Sequence, residues 1–121
     1  MRRNCFRLVV VIAFAATTVA CNEAPITPSK DTPVMTDHGR LIRSRDEISS
    51  IVKKELAAGA PENVIENFYK NHTLVCSYDR IFSRFQCISW VAKFHSIGIY
   101  LNVDDNKNLT HVDVFDTYTG P

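Results

Sequence analysis

Two hydrophobic periods organise most of the chain. Between Ser44 and His72 the apolar residues recur at helical spacing, and from Thr73 onward they alternate with polar ones. Ile48, Ile51, Val52 and Leu56 make one stripe, the face that an amphipathic helix turns to a core. Ser44-Arg45-Asp46-Glu47 ahead of the stripe fits a capping box, and its two acids suit the positive end of a helix. Gly59 can end that helix in a left-handed conformation. Pro61 opens a second helix, where its missing N–H costs nothing. Val64, Ile65, Phe68 and Tyr69 form the apolar face of this helix, and Asn71-His72 ends it. The link between the helices is short enough to require an antiparallel or sharply bent pair.

The alternating part predicts four strands, 73–79, 84–91, 96–103 and 110–118. A first turn centred on Ile81-Phe82 places Cys76 opposite Cys87, Leu74 opposite Ser89 and Tyr78 opposite Phe85. A last turn in the Asp105–Asn108 loop places Leu101 opposite Val112 and Ile99 opposite Val114. A middle turn near 91–95 sets Cys87 beside Ile99 and Phe85 beside Leu101. The three turns agree on one apolar sheet face, which a slip of one residue would destroy. The predicted architecture is α+β, with two N-terminal helices packed on one face of a four-stranded antiparallel meander, in a domain spanning 44–121. Opposed strand residues come within reach of a disulfide, so Cys76 and Cys87 are expected to be bonded. Two reduced core thiols are the alternative. Their spacing is not C-x-x-C, which argues against redox catalysis.

Ahead of residue 44 the pattern is of another kind. Arg2, Arg3 and Arg7 precede an unbroken apolar run from Leu8 to Ala16, and Thr17, Thr18, Val19, Ala20 and Cys21 follow it. This is the order of a secretory signal peptide, expected over 1–20, and the run is too short to span a bilayer. Val19-Ala20-Cys21 resembles the lipobox of bacterial lipoproteins, with Thr18 where leucine is usual. The resemblance implies that Cys21 is lipidated, with palmitate among its acyl chains, and becomes the mature N-terminus. An ordinary signal cut at Ala20 is the competing reading. Two or more acyl chains anchor a protein stably. Asn22, where an aspartate would retain an enteric lipoprotein at the inner membrane, implies a protein facing the periplasm from the outer membrane. Residues 21–43 hold three prolines and no hydrophobic period, and read as a Pro-rich tether reaching about 25 Å.

Charge adds an exclusion. The chain carries 14 Lys+Arg against 13 Asp+Glu, a net of +1. Without residues 1–20, which hold three arginines and no acid, the balance is 11 against 13, or −2. Nothing here suits a polyanion, so no nucleic-acid partner is expected. Of four cysteines, Cys5 leaves with the signal and Cys21 is used for the anchor. Cys76 and Cys87 remain as an even pair in an oxidising compartment.

No catalytic constellation emerges. His72, His95 and His111 form no metal motif and read as turn or surface residues. The Asp104–Asn108 run lacks the glycine and final glutamate of a calcium loop and suits a hairpin turn. No serine sits in a nucleophile elbow, and no glycine-rich phosphate loop exists. A non-enzyme without metal or cofactor is expected.

The register that buries one sheet face turns Ile88, Trp90, Tyr100 and Phe115 to the other, among Gln86, Asn102, His111 and Asp113. Phe115 lies across from Gly98, so its ring can cover bare backbone. An aromatic patch with a polar rim suggests a protein-binding surface. Coverage by the tether, by a chain end or by a second copy in a homodimer is the alternative. Gly59-Ala60-Pro61, then Val64-Ile65 and Phe68, resembles the helix opening of small bacterial lipoprotein domains. Two helices followed by a meander are similar to the SmpA/OmlA-type lipoproteins of the outer-membrane β-barrel assembly machinery, although that family has three strands. The likeness implies a non-enzymatic envelope lipoprotein that binds another envelope protein. An immunity or inhibitor lipoprotein that neutralises a periplasmic toxin or hydrolase fits the same size, charge and disulfide.

Overall fold

The structure, a computed structural model, describes residues 32–119. In chain order the elements are β1 (Thr36–Asp37), β2 (Arg40–Leu41), α1 (Arg45–Glu55), α2 (Glu62–Asn71), β3 (Val75–Asp79), β4 (Arg84–Ala92), β5 (His95–Val103) and β6 (Leu109–Tyr118). β1 and β2 form a small two-stranded sheet, and β3 to β6 form a four-stranded antiparallel sheet in sequential order. The class is α+β.

Local chemistry accounts for the helix ends. Ser44 is extended, and the Glu47 N–H donates to its hydroxyl at 3.4 Å, which caps one of the free donors of the first turn. Asp46 and Glu47 lie in that turn, and Lys53 and Lys54 in the last, as the helix dipole favours. Gly59 follows with φ +92°, a conformation open to glycine and strained for other residues. Its N–H donates to the Leu109 carbonyl at 2.7 Å, and the Leu109 N–H returns to Ala60 at 2.8 Å. The interhelical link is thereby tied to the start of β6. Pro61 caps α2 without a side-chain hydrogen bond.

The sheet register follows the alternation. Cys76 pairs with Cys87, Tyr78 with Phe85, Cys87 with Ile99, Phe85 with Leu101, Ile99 with Val114 and Leu101 with Val112. Cys76 and Cys87 are joined by a disulfide across a Cα separation of 4.1 Å. The register shifts at two places, between Trp90 and Ala92 and between Asn102 and Val103. The expected first strand is shortened at its start. Thr73 takes φ 55°, and the Leu74 N–H turns back to the Tyr69 carbonyl at 2.8 Å instead of joining the ladder.

The expected tether needs correction over residues 33–42, which belong to the folded body. Val34, Met35 and Ile42 are buried, the last two completely. His38 and Gly39 take positive φ values of 52° and 80°, and this tight turn folds β1 onto β2. The Trp90 N–H donates to the Pro33 carbonyl at 2.9 Å, and the Met35 N–H to the Ser89 hydroxyl at 2.8 Å. The segment takes up the edge of β4 that the shortened β3 leaves free. Val34, Met35, Leu41 and Ile42, split into two pairs by a polar turn, make no period, so the sequence pattern reads as a linker. The expected signal peptide, Cys21 and residues 22–31 lie outside the described residues.

One cluster of buried residues gathers the parts. It contains Met35 and Ile42 from the N-terminal segment, Ile48, Val52, Ile65 and Phe68 from the helices, and Phe85, Cys87, Ile97, Ile99 and Leu101 from the sheet. Tyr69 borders it, with its ring 6.1 Å from that of Phe85.

Candidate docking face

Along β4 the odd-numbered residues 85 to 91 are buried and the even-numbered residues 84 to 90 are half-buried. The pleat therefore carries Arg84, Gln86, Ile88 and Trp90 on the second face of the sheet. Pairing across the ladder adds β5 and β6. Ile88, Gly98 and Phe115 form one row, Gln86, Tyr100 and Asp113 the next, and Trp90, Ser96 and Thr117 a third. Ile88, Trp90, Tyr100 and Phe115 are all half-buried. Ile88, Tyr100 and Phe115 line a common groove of about 320 Å³ with Gly98 as part of its lining. Ser96 and Thr117 of the third row also line it, and Trp90 stands beside them in that row.

Gly98 makes the ring positions possible. A Cβ on this residue would overlap the Phe115 ring, so the ring lies on bare backbone. The Tyr100 ring meets Phe115 edge-on at 4.7 Å and 66°, a favourable arrangement of ring quadrupoles. On its other side Tyr100 carries Arg84, whose guanidinium carbon lies 3.8 Å from the ring centroid. Phe82 approaches the same guanidinium at 4.7 Å. Phe82, Arg84, Tyr100 and Phe115 thus form a continuous stack.

Arg84 and Phe82 were not singled out by the sequence pattern. The alternation places Arg84 on this face, but the stack depends on the turn before β4. That turn is built by Asp79. Its Oδ1 accepts the N–H groups of Ile81 at 2.9 Å and Phe82 at 3.2 Å, and its Oδ2 accepts the Gln86 amide at 2.6 Å. Ser83 completes the turn with φ 51°. Ile81 and Phe82 are 85% and 62% exposed at its tip.

The rim is polar and internally paired. Asn102 donates to Asp113 at 3.1 Å, and His111 lies 3.7 Å from the same carboxylate. On the opposite side of the sheet, in register with buried Ile97, Asp116 bonds His95 at 2.8 Å and is reached by Arg45 of α1 at 3.6 Å, and His95 stacks on Tyr118 at 4.3 Å.

His72, expected at a turn or on the surface, ends α2 but is buried. Its Nδ1 lies 2.7 Å from the Thr36 carbonyl and its Nε2 2.9 Å from Glu55 Oε1. Asp37 Oδ1 stands 3.8 Å from Nδ1. Among the described residues Asp37, Glu55 and His72 converge closely enough to offer ligand atoms to a metal, within 4.8 Å of one another. The closest carboxylate contacts approach opposite ring nitrogens, and each nitrogen already faces an oxygen. The contacts link the hairpin, α1 and α2.

Two groups outside the face have displaced ionisation. Burial, with Glu66 and Glu62 nearby, raises the Tyr69 phenol above its ordinary value. The hydrogen bond that Arg40 donates to Glu47, reinforced by the Glu47 charge, raises the Arg40 guanidinium.

No protein-family model, curated protein or solved structure matches this chain. No described helix is long and apolar enough to cross a membrane.

Proposed function

We propose that the protein is a non-enzymatic envelope lipoprotein that binds another envelope protein through the second face of its sheet. In this reading Cys21 carries the lipid anchor, and both helices cover the Phe85, Cys87 and Ile99 face. The observation that carries it is the aromatic groove itself. Phe115 is seated on Gly98, with Tyr100 against its ring and Ile88 beside it in the groove, and all three stay half-buried, with Trp90 one row from Ile88. Monomeric proteins seldom leave ordered aromatic residues together at the surface without use, and Tyr and Trp are prominent among binding hot spots. The helix placement is supported by the shared core cluster and by the Tyr69 ring beside Phe85. The order of two helices followed by a meander supports a likeness to the SmpA/OmlA-type lipoproteins, with one strand more.

Substitution of Trp90 and Tyr100 by Ala tests the reading. Copurification of the partner from envelope extracts should be lost while the variant keeps a cooperative unfolding transition. Retained capture by the folded variant overturns it.

A further inference from the structure

Beside the groove, against its Tyr100 wall, stands a cation whose partner chemistry can be read. This step rests on the face being a protein-binding surface and concerns what the bound segment carries. The geometry points to Arg84 as a receptor for a carboxylate of the partner, flanked by Phe82 and Tyr100. The partner segment then presents an acidic side chain beside an apolar one.

Arg84 is positioned but not neutralised. Its guanidinium is stacked on Tyr100 at 3.8 Å, with Phe82 at 4.7 Å. Its Nε is buried without a hydrogen-bond partner. No carboxylate among the described residues forms an ion pair with it; the ion pairs of the arginines there belong to Arg40 and Arg45. The acid paired with it in the ladder is Asp79. Both Asp79 oxygens are committed to the turn and to Gln86, and neither pairs with the guanidinium. Stacking holds the planar cation by its faces and leaves its Nη edge as the donor fork that suits a carboxylate.

The surroundings add complementarity. Arg80 places a second cation beside the exposed Ile81 and Phe82. Aromatic residues and arginine together are the composition of interface anchors. The Phe82 and Tyr100 rings beside the guanidinium offer an apolar side chain a place next to the carboxylate, which favours a protein segment over a lipid headgroup.

The test is an NMR titration of the full chain in dodecylmaltoside micelles, following the Arg84 Nε–H and the ring signals of Tyr100 and Phe115. The probes are acetyl-Leu-Glu-Leu-amide, its Gln counterpart and dihexanoyl phosphatidylglycerol. The Glu peptide should shift all three groups and bind about fivefold more tightly than the Gln peptide, as a charge-assisted bond requires. Arg84→Gln should erase the difference, and Arg84→Lys should retain part of it, both with unchanged amide signals in α1 and α2. Equal binding of the two peptides overturns the carboxylate assignment and leaves the docking face standing. Absence of any shift on the face with either peptide overturns both. Stronger binding of phosphatidylglycerol than of the Glu peptide assigns the site to a lipid headgroup and overturns the proposal.

Discussion

Gly98 decides what the docking face looks like. Its missing side chain is the space that Phe115 occupies, and Phe115 in turn supports Tyr100 and, through it, Arg84. Gly98→Ala should displace the ring and cost about 1–3 kcal/mol, as overpacking does. Urea unfolding checks the loss. Combining it with Phe115→Ala should cost less than the sum of the two single changes, because the overlap is then gone. Tyr69 carries a separate expectation at this scale. Its phenol holds its proton more firmly in the folded state, through burial and the nearby Glu66 and Glu62. Its contribution to stability is therefore whole below the unfolded value near pH 10 and is lost as pH rises from there through the raised folded value. Tyr69→Phe should flatten that part of the alkaline decline, measured by urea unfolding between about pH 9 and pH 11.

The informative element is the segment from Pro33 to Ile42. It behaves as part of the core, with Met35 and Ile42 fully buried and Pro33 bonded to the Trp90 N–H. Met35→Ala should therefore cost about 2–5 kcal/mol, the range for a long buried apolar side chain. Exchange of the Ile42 N–H, which donates to the Met35 carbonyl, should speed up with it. A loose tether would show neither effect, and hydrogen exchange with urea unfolding distinguishes the two. The contrast with the four long strands is instructive. From Arg84 to Trp90 each residue of β4 repeats the side preference of the one two places earlier, so one register satisfies every pair up to the shift after Trp90. In the hairpin, two residues per strand provide no such repetition. Its burial depends on Ser89, Trp90 and His72, which are far away in sequence. The burial of His72 escapes the sequence pattern for the same reason. A histidine after a helix looks solvent-facing until the Thr36 carbonyl and Glu55 close on it.

For the molecule as a whole, the strand order and pairing make one sheet with two unlike faces. One contributes to the core, and the other collects Ile88, Trp90, Tyr100 and Phe115 at half exposure. The described chain enters beside Trp90 at one end of β4, and Arg84 stands at the other end. The intact mass of membrane-purified protein, with and without reduction and alkylation, tests the anchor. A mass that begins at Cys21 with added acyl chains and one protected cystine is expected. An unmodified Cys21 thiol would overturn the lipoprotein reading and leave an exported protein whose sheet face still needs an occupant.

What the amino-acid order determined by itself was whatever local rules enforce. The capped start of α1, the break at Gly59, the alternation of the four long strands and the opposition of Cys76 and Cys87 all arise from short-range periods and turn chemistry. Tertiary structure alone decided the burial of Val34, Met35 and His72. It also decided the shortening of β3 and the stacking of Arg84 between Phe82 and Tyr100. Each of these depends on a contact between segments distant in the chain or on the conformation of one turn. Hydrophobic periodicity records which side of an element faces the core. It carries no information about which remote group will satisfy a buried polar atom, or which cation will be left without one.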